Sequence, residues 1–300
     1  MSDSTTDQER LSVYKTYKLY IDGEYPRTES GRYLQIDDHE GNFVANICHA
    51  SRKDFRDAVV AARQALDGWF GRSAFNRGQI LYRMGEMLES RRAGLAEQLV
   101  DQLGYSRQEA RREVQTTIDR IVWYAGWSDK FEQVFGSTNP VSSPHFNFTV
   151  PEPTGVVTVF CPRNAPLLGL VSSIAPLIVS GNTVVAIVDA DSPESTAPQM
   201  AMEFAEVLNN SDLPGGVVNI LTGVRSELIG HVGGHRDVDG IIAYGADDEH
   251  EEQLALEGAE SVKRVKFKDD PEDWTSEDCQ SPYWILPFVE FKTNWHPVGV

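Results

Sequence analysis

Basic residues are scarce in this chain: 27 Lys and Arg stand against 45 Asp and Glu, for a formal charge of −18. A surface of that sign repels phosphate, which excludes nucleic acid as an expected partner. Cysteine is scarce too. The three residues present, Cys48, Cys161 and Cys279, lie far apart and form no CxxC pair, so zinc and redox-exchange motifs are missing and reduced thiols are the simplest expectation. No run approaches the roughly eighteen apolar residues of a membrane span, and Met1–Arg10 lacks the basic and apolar regions of a secretory leader. The expected setting is cytoplasmic, with no membrane partner.

What remains is ample for a core: 300 residues, 41% of them hydrophobic, suit one large domain or two small ones. The negative charge is uneven. Residues 247 to 278 hold thirteen acidic against four basic side chains, and 13 − 4 gives a net −9 there, half of the total. That stretch is expected to be exposed.

Residues 1–16 show no periodicity and read as a disordered tail. Lys18 to Tyr25 alternates around Asp22-Gly23 as a hairpin would. Three helices follow. The first opens at Ser51 with Asp54 closing an acidic variant of the capping box, and ends near Gly71. The second runs from about Ser73 to Leu103, with a bend or break expected near Gly94 and a stop at Gly104. The third starts with the box Ser106-x-x-Glu109 and carries Val114, Ile118, Ile121 and Val122 at helical spacing.

From Phe146 onward, strand and helix alternate. A hairpin is expected around 144–153. Apolar strands are expected at 155–160, 183–188, 216–221, 238–243 and 262–267. Helices are expected at 167–180, from the Ser192-Pro193 start to Asn210, at 226–233 and from Asp247. Five such strands predict an α/β fold built on a Rossmann-like, doubly wound parallel sheet.

The motifs Leu19-Tyr-Ile-Asp-Gly-Glu24, Glu152-Pro-x-Gly-Val-Val157, Pro162-x-Asn-x-Pro-Leu167, Gly181-Asn-Thr-Val-Val185 and Leu213-Pro-x-Gly-Val-Val-Asn219 stand in an order and at a spacing that resemble the aldehyde dehydrogenase family. The resemblance covers nearly all of 17–265. The tail Phe288-Val-Glu-Phe-Lys-Thr-Asn-Trp295 resembles the C-terminal strand with which family members bind a neighbouring subunit.

The resemblance also implies what is altered. The family's general-base glutamate falls on Lys268, and a protonated lysine accepts no proton. The cysteine nucleophile would lie in a catalytic domain, yet residues 269–282 form only an acidic linker. The nearest thiol, Cys279, sits among carboxylates that should raise its pKa. The lysine and glutamate that hold the adenosine ribose fall on Ile187 and Ala190, with a one-residue shift as the alternative alignment, and apolar side chains cannot make those hydrogen bonds. In the glycine turn Gly223-Val-Arg225, Arg225 replaces a second glycine. After Gly245, where the pyrophosphate would rest on a helix start, the chain has Ala246 and then Asp247, Asp248 and Glu249, which suit the helix dipole and repel phosphate. Asn164 matches the oxyanion asparagine, here expected to tie down its loop. His231 and His235 are four apart, but Gly233 and Gly234 intervene and no third ligand is evident.

These departures predict a degenerate, non-catalytic homologue like the second unit of the double-length class-sixteen enzymes: 17–268 as a nucleotide-binding-like domain, 269–282 as a linker, and 283–300 as an assembly strand. No cofactor is expected. The partner would be a full-length aldehyde dehydrogenase or a second copy, held through Phe288, Val289, Phe291 and Trp295, and removing 283–300 should leave the domain folded. The alternative is an NAD(P)-dependent aldehyde oxidoreductase or nucleotide sensor with altered cofactor binding.

Overall fold

The computed structural model describes residues 13–190 and 198–299. Strands β1 (Lys15–Tyr17), β2 (Tyr33–Asp37) and β3 (Phe43–Cys48) form a sheet in the order β1-β3-β2, with β1 parallel and β2 antiparallel to β3. Lys15 and Thr16 therefore belong to a strand and not to a tail. Three residues are too few for alternation to register, and pairing with β3 holds them. Residues 1–12 lie outside the described residues. The Asp22-Gly23 turn forms with φ of 55° and 75°, the left-handed pair such a turn requires, but its arms close through the single bridge Ile21–Glu24.

Helix α1 (Arg52–Phe70) carries both hydrogen bonds of its capping box, Ser51 with Asp54, and ends at Gly71. Helix α2 (Ala74–Leu103) is continuous through Gly94 and stops at Gly104, whose φ of 68° lets the chain turn away. Nothing crowds Gly94, so a single glycine costs the helix only propensity and no break follows. Helix α3 (Arg107–Ala125) has the predicted box from Ser106 to Glu109, and the short α4 (Phe131–Phe135) follows.

Strands β4 (Ser137–Asn139) and β5 (His145–Pro153) are antiparallel. The expected hairpin at 144–153 is thus a single strand. It pairs with 137–139 across the Pro140–Pro144 turn, so the hairpin lies one strand earlier than expected, and with the distant C-terminal segment.

The main sheet contains β6 (Val156–Phe160), β7 (Thr183–Asp189), β8 (Val218–Gly223), β9 (Gly240–Tyr244) and β10 (Arg264–Lys268), all parallel, in the order β10-β9-β6-β7-β8. Helices α5 (Leu168–Val179), α6 (Pro198–Asn209), α7 (Arg225–Gly234) and α8 (Asp248–Ala259) connect them. The predicted Ser192-Pro193 cap of α6 lies outside the described residues. Alternate strand residues enter two apolar layers. Val157, Val159, Val184, Ala186, Val218 and Ile220 join α2, α3, α5 and α6, whereas Val156, Phe160, Val185, Ile187, Leu221 and Ile241 join α1, α7 and α8. Covering both faces is what makes these strands read as unbroken apolar runs. Strand β8 begins two residues later than expected because the Pro214–Val217 turn occupies its start.

The 269–282 stretch is folded onto the domain. Trp274 and Cys279 are buried, and buried Arg120 donates to the carbonyls of Trp274 and Cys279 and to Gln280 Oε1. Its carboxylates face outward where they can, but the aromatic side chain and the backbone are held by α3, so the predicted exposure applies only to part of it. Strand β11 (Val289–Pro297) then pairs antiparallel with β5 of the same chain and is the outer strand of the sheet β11-β5-β4. Phe288 and Val289 are 1% exposed and belong to this chain's own core, the Phe288 ring filling the space left by Gly240. Only Phe291 and Trp295, at 51% and 58% exposure, face outward among the four expected contact residues.

Candidate functional site at the carboxyl end of the parallel sheet

The chain runs from β6 through β7 to β8 on one side, then crosses to β9 and β10 on the other. Strand order reverses between β6 and β9, and in such sheets a crevice opens there, beyond the strand carboxyl ends. Here the chain's own side chains occupy it. The Arg225 guanidinium, 3% exposed, donates from Nη2 to the Cys161 carbonyl after β6 and from Nη1 to the Tyr244 carbonyl ending β9, both at 2.6 Å. Its backbone N–H points to Asp189 Oδ1 at 3.4 Å. Burial pushes the guanidinium pKa down, and nearby Arg163 adds to this.

The linker contributes the anion. Asp270 Oδ2 accepts the Arg163 backbone N–H at 2.9 Å, while its Oδ1 is buried without a hydrogen-bond partner. Burial raises the Asp270 pKa, and the charges of Arg225 and Arg163 oppose that rise. A side chain at Gly245, where φ is 55°, would come into contact with this carboxylate. Asn164 donates to the Pro271 carbonyl at 2.7 Å and accepts the Trp274 indole N–H at 2.7 Å. Both ends of its amide are thereby bound to the linker.

The remaining predicted positions fall around this point without forming a polar ribose site. Ile187 is fully buried in the layer under α1 and α7, and half-buried Ala190 donates its backbone N–H to Gly223. Gly223 lies against His49 and Ala50, where a side chain would meet backbone. Ala246 packs on the same apolar layer, and Asp247 caps α8 by accepting the His250 N–H at 2.9 Å. Asp248, Glu249 and Glu251 fill the first turn of that helix.

Lys268 ends β10 with its amine 3.5 Å from the centroid of the Trp284 ring, and burial pushes its pKa down to about 8. The Cys279 thiol is directed at the Asp273 carbonyl, 3.6 Å away. Its pKa is raised, by burial first and by Asp273 and Asp278 after that. The adjacent carboxylates expected from sequence are therefore the lesser cause. Cys161 is wholly buried, which pushes its thiol up to about 12. His231 is exposed and His235 stacks edge-on against Phe55. Among the described residues no cluster of three or more His, Cys, Asp or Glu side chains is set for a metal. No helix among them is long and apolar enough to cross a membrane.

Two residues of α3 escaped the sequence reading. Buried Glu113 accepts the N–H groups of Leu167 and Leu168 at 3.0 and 3.2 Å and so caps α5, which has no side-chain cap of its own. Arg120 holds the linker. Both occupy the buried stripe that includes Val114 and Ile121, and a charge within an apolar stripe was the available signal.

Residues 25–268 match the model of the aldehyde dehydrogenase family. The chain belongs to that family. It is 32% identical over 256 residues to the alpha-ketoglutarate semialdehyde dehydrogenase of Haloferax volcanii, a match covering 83% of this chain and 50% of the relative. It is 32% identical over 261 residues to retinal dehydrogenase 2 of Gallus gallus, covering 85% and 48%. The solved NAD+ complex of an aldehyde dehydrogenase from Bacillus cereus superposes with a TM-score of 0.78 at 26% identity, covering 85% of this chain and 51% of that one. The chain thus spans about half the length of the curated relatives it matches, and the shared half is the nucleotide-binding α/β domain.

Proposed function

We propose that the chain acts as a non-catalytic member of its family, an accessory, scaffolding or regulatory subunit that joins a full-length aldehyde dehydrogenase or a second copy of itself. The observation that carries this reading is the filled switch point, with Arg225 clamped on the Cys161 and Tyr244 carbonyls and Asp270 set beside it.

Measured against a dinucleotide, these residues do not fit. Ile187 and Ala190 offer a ribose no polar side chain, the Arg225 amino groups are committed to carbonyls, and Asp270 and the acidic start of α8 place negative charge where a pyrophosphate needs donors. The thiolate chemistry of the family is not supported either. Cys279 is buried with a raised pKa, and Lys268 stands in place of a carboxylate base. Association is favoured by the outer edge of β11, unpaired among the described residues, which presents Phe291 and Trp295.

The second reading, an NAD(P)-dependent oxidoreductase or nucleotide sensor with its cofactor in an altered pose, is favoured by the likeness to a relative solved with NAD+. Gentle affinity purification from the native host followed by native mass spectrometry separates the two. A stoichiometric full-length aldehyde dehydrogenase, or a homo-oligomer free of nucleotide, supports the proposal. A chain carrying bound nucleotide overturns it in favour of the second reading.

A further inference from the structure

Strand β10 is an edge strand of the parallel sheet, and Lys268 is its last residue. Its amine lies 3.5 Å from the Trp284 ring centroid and 5.8 Å from that of Tyr244. Both rings, with Pro176, Leu177, Ile242 and Phe288, line a largely enclosed cavity of about 60 Å³ into which Lys268 enters. Among the described residues no carboxylate pairs with this amine and no hydrogen-bond acceptor is assigned to it. Three of the seven other lysines differ. Lys15, Lys53 and Lys292 have Glu203, Glu29 and Glu152 as ion-pair partners.

Burial in an apolar pocket without a counter-ion favours the neutral amine, which is the nucleophilic form, against the opposing preference of the Trp284 face for the cation. We propose that Lys268 is a carbonyl-reactive amine that condenses reversibly with small aldehydes entering the cavity between Tyr244 and Trp284. The nitrogen lone pair forms a bond to the carbonyl carbon, and the C=O π electrons move to oxygen. Both amine protons and that oxygen then depart as one water, which leaves a carbon–nitrogen double bond, so the step requires no oxidant or reductant. The cavity has room for only a few water-sized atoms, which limits the electrophile to an aldehyde of about three or four heavy atoms.

The titratable groups around the amine are the Tyr244 phenol on β9, the Cys279 thiol in the linker and Lys266 on β10 itself. The phenol and the thiol both have raised pKa values, so both are neutral near pH 8, and the burial that lowers the Lys268 pKa governs its titration. This inference is independent of any partner, because it needs only the folded chain.

The test is reductive trapping. The full chain is treated at pH 7.5 with acetaldehyde and sodium cyanoborohydride, and ethylation at each lysine is followed by peptide mass spectrometry. Lys268 should be modified about tenfold or more faster than exposed Lys53 or Lys292, with a rate that levels off above about pH 8. Benzaldehyde should lose that selectivity because it does not fit the cavity. Lys268→Arg, which keeps the charge over Trp284, should abolish the fast phase while leaving the circular dichroism spectrum unchanged. Equal modification of Lys268 and the exposed lysines, or a Lys268 rate still rising steeply at pH 10, overturns the proposal.

Discussion

The Asn164 carboxamide accepts the Trp274 indole N–H at 2.7 Å while its own amide N–H₂ donates to the Pro271 carbonyl. An indole only donates and a carbonyl only accepts, so a single orientation of the amide satisfies both. With its oxygen and one of its two N–H donors bound to the linker, the asparagine is oriented by 269–282, and in this chain its role is to seat that segment.

That role predicts energetic coupling. Asn164→Ala and Trp274→Phe should each cost about 1–2 kcal/mol, and the double mutant should cost less than their sum by roughly 1 kcal/mol. Urea denaturation of the four proteins measures this, and strict additivity would break the link.

Arg225→Gly restores the glycine that the family resemblance implies, and it should destabilise. It leaves the Cys161 and Tyr244 carbonyls buried without donors, a loss of about 2–4 kcal/mol. Arg225→Lys should recover only part of this, because one ammonium cannot reproduce the two-pronged contact. Thermal melts compare the three proteins.

The C-terminal segment from Phe288 to Trp295 divides its residues between core and surface. Phe288→Ala should cost about 3–5 kcal/mol, since the ring is buried against Gly240. Phe291→Thr with Trp295→Thr should leave stability nearly unchanged and abolish association, as read by sedimentation of the purified assembly. Truncation at Tyr283, expected from sequence to spare the domain, removes Ile285, Phe288 and Val289 from the core and should unfold it.

Lys268 imposes a pH dependence whose sign is fixed. Its pKa falls from 10.5 in the unfolded chain to about 8 in the fold, so between those values the unfolded state binds more protons. The penalty for burying the charge is full below about pH 8 and disappears as pH rises toward 10.5. Lys268→Met should therefore be more stable than wild type at pH 7, by about 1–2 kcal/mol after allowance for solvent screening, with the gap closing on the way to pH 10.5. Denaturant melts across that range check it.

Much of the fold was legible because it rests on local signals. Ser51, Ser73, Ser106, Gly71 and Gly104 mark helix ends by their own backbone chemistry, and Val184 to Ile187 declares a strand covered on both faces. Lys15–Tyr17 was harder, because it becomes a strand only through a distant partner, and β11, expected as a strand, pairs with β5 of its own chain, which no local signal names. At the site, the family resemblance singled out Arg225 but could not give its destination, which depends on Cys161 and Tyr244 ending neighbouring strands. The linker's acidity implied exposure, yet Trp274 and the hydrogen bonds from Arg120 and Asn164 outweigh it locally. The charges of Glu113 and Arg120 were hidden for the opposite reason, inside a stripe read for its apolar members.

The proposal that Arg225 and Asp270 close the crevice at the strand switch point to a dinucleotide is open to calorimetric titration of the purified full chain with NAD+ and then NADP+. No saturable heat is expected up to about 1 mM, the upper end of usual substrate affinities. Saturable one-site binding in the micromolar range would contradict it and turn the chain back into a nucleotide-dependent member of its family.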